Sequence, residues 1–166
     1  NEVRFLKTIL RRPVDGVIMA PHRLMLADLD NFIRRSHIPV VAIGAQVEHP
    51  AVDIVGGTSQ LATYDAISWL IKVKGHQRIG FLGVTQDMPP GPARLRGYER
   101  AMNEAGLPIE PNFIQKAEFT VEGGALGMHT LLEQATIPSV VFAANSLMAI
   151  GAIMTAKAEG YRVPED

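Results

Sequence analysis

Residues 75–107 read GHQRIGFLGVTQDMPPGPARLRGYERAMNEAGL, and the order of patterns in this stretch decides the fold. Arg78 to Leu82 is a short, near-continuous apolar run, the signature of a strand buried on both faces. A stiff loop, Asp87-Met88-Pro89-Pro90-Gly91-Pro92, follows it. Leu95, Tyr98, Ala101, Met102 and Ala105 then recur at helical spacing, and Gly106 and Pro108 mark the stop. This is one strand-loop-helix step.

The same step repeats outward in both directions. Apolar runs predict strands at Val14 to Ala20, Ile38 to Ile43, Val52 to Val55 and Ser139 to Ala143, with a weaker one over Phe113 to Phe119. Helical stripes lie between them. They are Leu26, Leu29 and Ile33, then Leu61, Tyr64, Ile67 and Ile71, then Ala125, Met128, Leu131 and Leu132, and last Leu147, Ile150, Met154 and Ala158. Val3, Leu6 and Ile9/Leu10 place a helix at the start, and Gly75, Gly106 and Gly160 sit where helices should end. Alternating β and α elements with short connections predict an α/β fold of doubly wound parallel sheets. Ala45 to Gly57 breaks the rhythm with two short segments and no helix between them, as expected of a passage between lobes.

Composition removes several function classes. Net charge is −1 and no Lys/Arg block occurs, so this stretch lacks a nucleic-acid footprint. The absence of cysteine excludes a disulfide scaffold, thiolate zinc sites and thiol nucleophiles. No apolar run reaches the roughly 18 residues of a membrane span. The five histidines, at 22, 37, 49, 76 and 129, show no metal-ligand spacing, so neither a metal nor another cofactor is expected. The chain starts without Met in helical pattern and stops at Val163-Pro164-Glu165-Asp166, where a new element should begin; it reads as an internal piece.

In open α/β sheets ligands bind at the carboxyl ends of strands. That rule selects Pro21 and His22, Gly44 and Gln46, Arg94 after the Pro-rich loop, Phe119 and Thr120, and Asn145 and Ser146. Arg94 offers a fork of donors for paired oxygens, Phe119 an apolar platform, and Asn145 a donor and an acceptor together. Each has a plainer reading. Arg94 suits the surface of a first helical turn, Phe119 a core position, and Asn145 a helix cap. The inventory is one of binding, with no catalytic residue.

Three ordered stretches carry a family resemblance: Gly75 to Gly83, Ala93 to Met102 with Ala105-Gly106-Leu107, and Val141 to Ala152 closed by Gly160 to Asp166. With Val14 to Ile18 and Ile38 to Val41 before them, they resemble the effector-binding core of the lactose- and galactose-repressor family of bacterial transcription regulators. The resemblance implies a periplasmic-binding-protein-like fold of two lobes with a small-molecule effector, a sugar or sugar derivative, in the cleft between them. Residues 1–57 would form part of the first lobe and 58–166 most of the second. It implies a cytoplasmic homodimer, with no membrane partner, that reaches operator DNA through an N-terminal helix-turn-helix head absent from the chain. The helix near Leu26 to Ile33 is a candidate for the dimer interface, or packs on its own sheet.

By the same resemblance Arg94, Phe119 and Asn145 contact the effector. Three positions depart from the family's pattern. Asn145-Ser146 stands for Asn-Asp, Gly44 for an acidic residue, and Thr58-Ser59 for Asp-Asn, so Ser146, Gly44 and Thr58 join the candidate contacts. Carboxylates grip sugar hydroxyls, so their loss favours a less hydroxyl-dependent or anionic effector anchored by Arg94. Two rivals share the fold class. One is a secreted solute-binding protein feeding a transporter; the other is an α/β enzyme, which lacks G-x-S-x-G, P-loop and H-E-x-x-H motifs here. His76, at a helix-to-strand junction, reads as structural.

Overall fold

The strand β4 (Ile79–Val84) is the axis of the larger of two compact units, Thr58–Asp166, the other being Asn1–Gly57. The computed structural model describes residues 2–11, 13–21, 24–44, 49–84 and 90–166. In the larger unit the chain order is α3 (Ser59–Lys72), β4, α4 (Gly91–Glu104), a 3-10 turn at Pro111–Phe113, β5 (Ile114–Ala117), α5 (Val121–Leu132), β6 (Val140–Ala143) and α6 (Ser146–Ala158). The three strands are parallel in the order β5-β4-β6.

Successive residues of a strand point to opposite faces, and in β4 both faces are apolar. Ile79 and Phe81 belong to one buried cluster, with Ile67 of α3 and Tyr98, Ala101 and Met102 of α4. Leu82 belongs to another, with Leu131 of α5 and Met148 and Ala152 of α6. Helices α3 and α4 therefore cover one face, and α5 and α6 the other. Right-handed crossovers require this arrangement. The chain leaves β4 for β5 through α4 on one face, then passes back over β4 to β6 through α5 on the other.

Glycines set the helix spacing. A Cβ on Gly97 would lie 2.3 Å from the Gln60 carbonyl oxygen of α3. One on Gly151 would lie 1.9 Å from that of Val121 in α5, and one on Gly124 2.1 Å from that of Met148 in α6. Backbone cannot yield to a methyl group at such distances, so these residues fix both helix pairs. The expected stops at Gly75, Gly106 and Gly160 all have positive φ, of 76°, 67° and 90°.

The smaller unit runs α1 (Glu2–Ile9), β1 (Val17–Met19), α2 (Leu26–Ser36), β2 (Val40–Ile43) and β3 (Val52–Val55), its strands parallel in sequence order. Leu6, Ile9, Leu29 and Phe32 of the helices pack with Val17, Met19, Val40, Ala42 and Val52 of the sheet. The opposite sheet face presents Ile18, Ile43 and Val55, and Ile18 is 74% exposed.

Several expectations need correction. The strand expected over Val14 to Ala20 is only Val17–Met19. Leu26 and Leu61, placed on buried stripes, are half exposed. The α6 stripe is wrong in phase. Leu147, Ile150 and Met154 face outward, Met154 at 62% exposure, while Met148, Gly151, Ala152 and Ala156 form the buried side. The helix is apolar nearly all round, so periodicity gave no preferred face. Of the passage expected over Ala45 to Gly57 and the loop expected over Asp87 to Pro92, residues 45–48 and 87–89 lie outside the described residues.

Tyr98 is fully buried and donates its hydroxyl to the Ile79 carbonyl at 2.9 Å. Burial first, then the charges of Glu99 and Glu110, push its pKa up to about 12. The folded state thus keeps the phenol protonated to higher pH than the unfolded chain does. Its contribution is complete below the unfolded value near 10 and is lost as pH rises to 12, a fall of about 2–3 kcal/mol. Urea unfolding of Tyr98→Phe should lack this alkaline component and show a loss of about 1 kcal/mol at neutral pH from the missing hydrogen bond.

Candidate functional site

A doubly wound sheet opens a crevice where the strand order reverses, at the carboxyl ends of the two strands that send their chains to opposite faces. In the larger unit those strands are β4 and β6. From β4 the chain leads into α4 on one face, and from β6 into α6 on the other. The first turns of α4 and α6 flank the crevice, bringing Arg94 to Asn145 and Ser146.

The direct contact is with the residue before them. A guanidinium nitrogen of Arg94 donates to the Ala144 carbonyl, the last backbone acceptor before Asn145. Arg94 is partly buried, and desolvation lowers its pKa from the ordinary arginine value. Asn145 caps α6: its Oδ1 accepts from the Met148 amide at 2.8 Å. Its side-chain amide nitrogen has no partner among the described residues. Ser146, the first residue of α6, is exposed beside it.

Phe119 follows β5 and is partly buried, packing on both apolar clusters of the unit. Its core role is therefore real, while part of its surface stays open at the same sheet edge. Thr120 caps α5, accepting from the Gly123 amide at 2.9 Å. Thr58 opens α3 with an exposed side chain that makes no cap hydrogen bond. Since α3 runs down to the amino end of β4, its start lies at the carboxyl edge. Gly44 belongs to the smaller unit, at the carboxyl end of β2; it has φ 67° and donates its amide to the Val55 carbonyl at 2.9 Å. His22 and Gln46 lie outside the described residues.

What the strand-end rule missed is Ala144, whose contribution is a backbone carbonyl and leaves no trace in side-chain chemistry. At the opposite edge His76 Nδ1 lies 3.0 Å from the Ser139 hydroxyl, which donates to the Arg78 carbonyl at 3.1 Å. With its proton committed to a carbonyl, Ser139 accepts from His76, a structural clasp between the starts of β4 and β6. Among the described residues no group of three His, Asp or Glu side chains is placed to hold a metal ion. None of the described helices is long and apolar enough to cross a membrane.

The two roles of Asn145 separate by substitution. Asn145→Ala should cost about 1 kcal/mol in urea unfolding, since the cap is lost. Asn145→Asp keeps an acceptor for the Met148 amide and should unfold like the wild type, so any effect it has on ligand affinity reports the lost amide donors together with the added charge.

Residues 71–166 match the periplasmic binding protein-like domain family. Across its whole length the chain is 33% identical, over 169 aligned residues, to the HTH-type transcriptional repressor CytR of Escherichia coli strain K12, of which it covers 48%. It superimposes with a TM-score of 0.82 and 28% identity on a LacI-family sugar-binding transcriptional regulator of Escherichia coli complexed with phosphate, covering 99% of this chain and 59% of that one. The transcriptional regulator CelR in its cellobiose complex gives a TM-score of 0.81 and 32% identity, covering 98% of this chain and 50% of that one. The chain thus spans about half the length of the curated relatives it matches. It belongs to the periplasmic binding protein-like family.

Proposed function

We propose that this chain is the ligand-sensing part of a bacterial DNA-binding transcription regulator, in which a small effector changes operator affinity. The observation that carries the reading is the meeting of Arg94 with the start of α6 at the β4/β6 crevice. Charge-assisted and amide donors gathered over an aromatic residue suit an oxygen-rich ligand such as a sugar or sugar derivative. Solved relatives bound to cellobiose and to phosphate support that class. Residues 1–57 would be part of the N-terminal lobe of the effector core and 58–166 most of the C-terminal lobe. Arg94, Phe119, Asn145, Ser146, Thr58 and Gly44 are the effector contacts in this reading.

DNA contact falls to a helix-turn-helix head outside this chain, as the names of the relatives suggest. The relatives are regulators rather than enzymes or transporter components, and the reading places the protein in the cytoplasm. Effector binding alters operator affinity only by the difference in its affinity for two states of the regulator. In the full polypeptide, Arg94→Ala should weaken effector binding about tenfold or more, the loss of one charged hydrogen bond. Operator affinity without effector should stay at the wild-type level. Calorimetry and DNA anisotropy read the two; an unchanged effector affinity counts against the site.

The protein would act as a homodimer, and the outward face of α6 is the best-supported contact. Leu147, Ile150 and Met154 form an exposed stripe, with Leu126 of α5 also exposed, and no acidic or basic residue interrupts α6 before Lys157. An apolar helix face of this kind marks an interface. In α2, by contrast, Leu29 and Ile33 pack on their own sheet and only Leu26 is free. Ile150→Glu should shift the full polypeptide from dimer to monomer in sedimentation velocity, whereas Leu26→Glu should not.

A further inference from the structure

We infer that the adjacent glycines Gly123 and Gly124 are positioning residues of the effector site, together setting where Phe119 stands relative to Asn145. The inference rests on the effector reading above and adds the residues that hold two of its contacts in place. Both glycines lie in the first turn of α5, directly after the turn that carries Phe119. Neighbouring positions on a helix point about 100° apart, so the pair can meet two different neighbours. Gly123 faces back to the turn. A Cβ there would overlap the Glu118 carbonyl oxygen and come within 3.2 Å of the Glu118 nitrogen and carbonyl carbon. Gly124 faces α6. A Cβ there would overlap the Met148 carbonyl oxygen and lie 2.5 Å from the Met148 Cα.

Phe119 is bracketed by these contacts. On its amino side, the Glu118 carbonyl that lies against Gly123 also accepts from the Thr120 amide at 2.8 Å. On its carboxyl side, the Thr120 hydroxyl accepts from the Gly123 amide at 2.9 Å. Both neighbours of Phe119 are thus fixed to Gly123, which holds the backbone from which the ring projects. On the other side of the pair, Met148 is the residue whose amide donates to Asn145 Oδ1 at 2.8 Å. The contacts therefore run without a break from the Phe119 turn through Gly123, Gly124 and Met148 to Asn145. Each link is backbone packing or a helix cap, and no flexible side chain can swing aside to relieve a methyl group. An alanine at Gly123 displaces the turn that carries Phe119. One at Gly124 displaces the start of α6, which carries Asn145. Binding groups must stay within roughly 0.5 Å of their productive geometry, so either displacement reaches the ligand.

Fluorine NMR of the full polypeptide labelled with 4-fluorophenylalanine reads Phe119, its resonance identified by loss in Phe119→Leu. The Asn145 side-chain amide signal, identified by loss in Asn145→Asp, reads the rim. Gly123→Ala should shift the Phe119 resonance, and Gly124→Ala the Asn145 signal. Thr120→Ala should also shift Phe119, while Thr120→Ser, which keeps the cap, should return it to the wild-type position. That pair decides the matter if a glycine variant fails to fold. Calorimetry with cellobiose, glucose and inorganic phosphate adds affinity. A probe that binds the wild type should bind Gly123→Ala, Gly124→Ala and Thr120→Ala about tenfold or more weakly, and Thr120→Ser like the wild type. If none of the three binds the wild type, the resonances alone decide. Unmoved resonances in folded variants overturn the inference, and so does a moved resonance with unchanged affinity for a bound probe; both outcomes leave the effector reading standing. That reading fails separately, when a probe binds the wild type and Arg94→Ala equally.

Discussion

Burial of β4 on both faces is the constraint from which the rest of the larger unit follows. A strand whose alternate residues, Ile79 and Phe81 against Leu82, all leave water requires a helical layer on each side. Crossovers of fixed hand then allow one route: β5 on one flank with α4 beneath, β6 on the other with α5 above. The reversal opens a crevice between β4 and β6, and no side chain has to be specified for it to exist. The sequence decides only what stands at its rim, here Arg94 and Asn145. Scaffold and site are thereby separable in this fold, which leaves the rim free to vary in chemistry.

The helical layers are held at a spacing that only small residues permit. Gly97 sits against the backbone of Gln60 and Tyr64, and Gly124 and Gly151 against Met148 and Val121. Backbones this close leave no slack for one helix to slide on the other. The rigidity matters for the crevice. Arg94 lies three residues before Gly97 on α4, and Asn145 six before Gly151 on α6. Each rim residue is therefore less than two turns from the point where its helix is fixed.

Much of this was legible in the sequence because period and punctuation agreed. The runs at Val52 to Val55 and Ser139 to Ala143, the stripe Tyr98, Ala101, Met102, and the three stop glycines all fall where the pattern put them. The failures have physical causes. In α6, SLMAIGAIMTAKA offers apolar residues on every side, and the choice of buried face was made by Gly151, whose lack of a side chain hides it from any hydrophobic pattern. His37 ends α2 with φ 56°, where a glycine is the expected signal. At the site, strand ends alone named Arg94, Phe119 and Asn145 as equals. Only the strand order distinguishes the first and third, which meet at the reversal, from the second, which lies across β4 in two apolar clusters.

The plain and functional readings of the rim residues turn out to describe different atoms. Asn145 spends its oxygen on the Met148 amide and keeps its nitrogen, so capping orients the donor it leaves free. Arg94 spends one donor on the Ala144 carbonyl, which belongs to the residue just before that cap. A ligand that draws on the rest of the guanidinium therefore acts on a group already tied to the start of α6. The far side of α6 is the apolar stripe of Leu147, Ile150 and Met154. One helix thus carries a rim residue at its start and, among the described residues, an exposed apolar face along its length. Gly151, packed against Val121, ties α6 to α5 between that rim residue and the far end of the stripe.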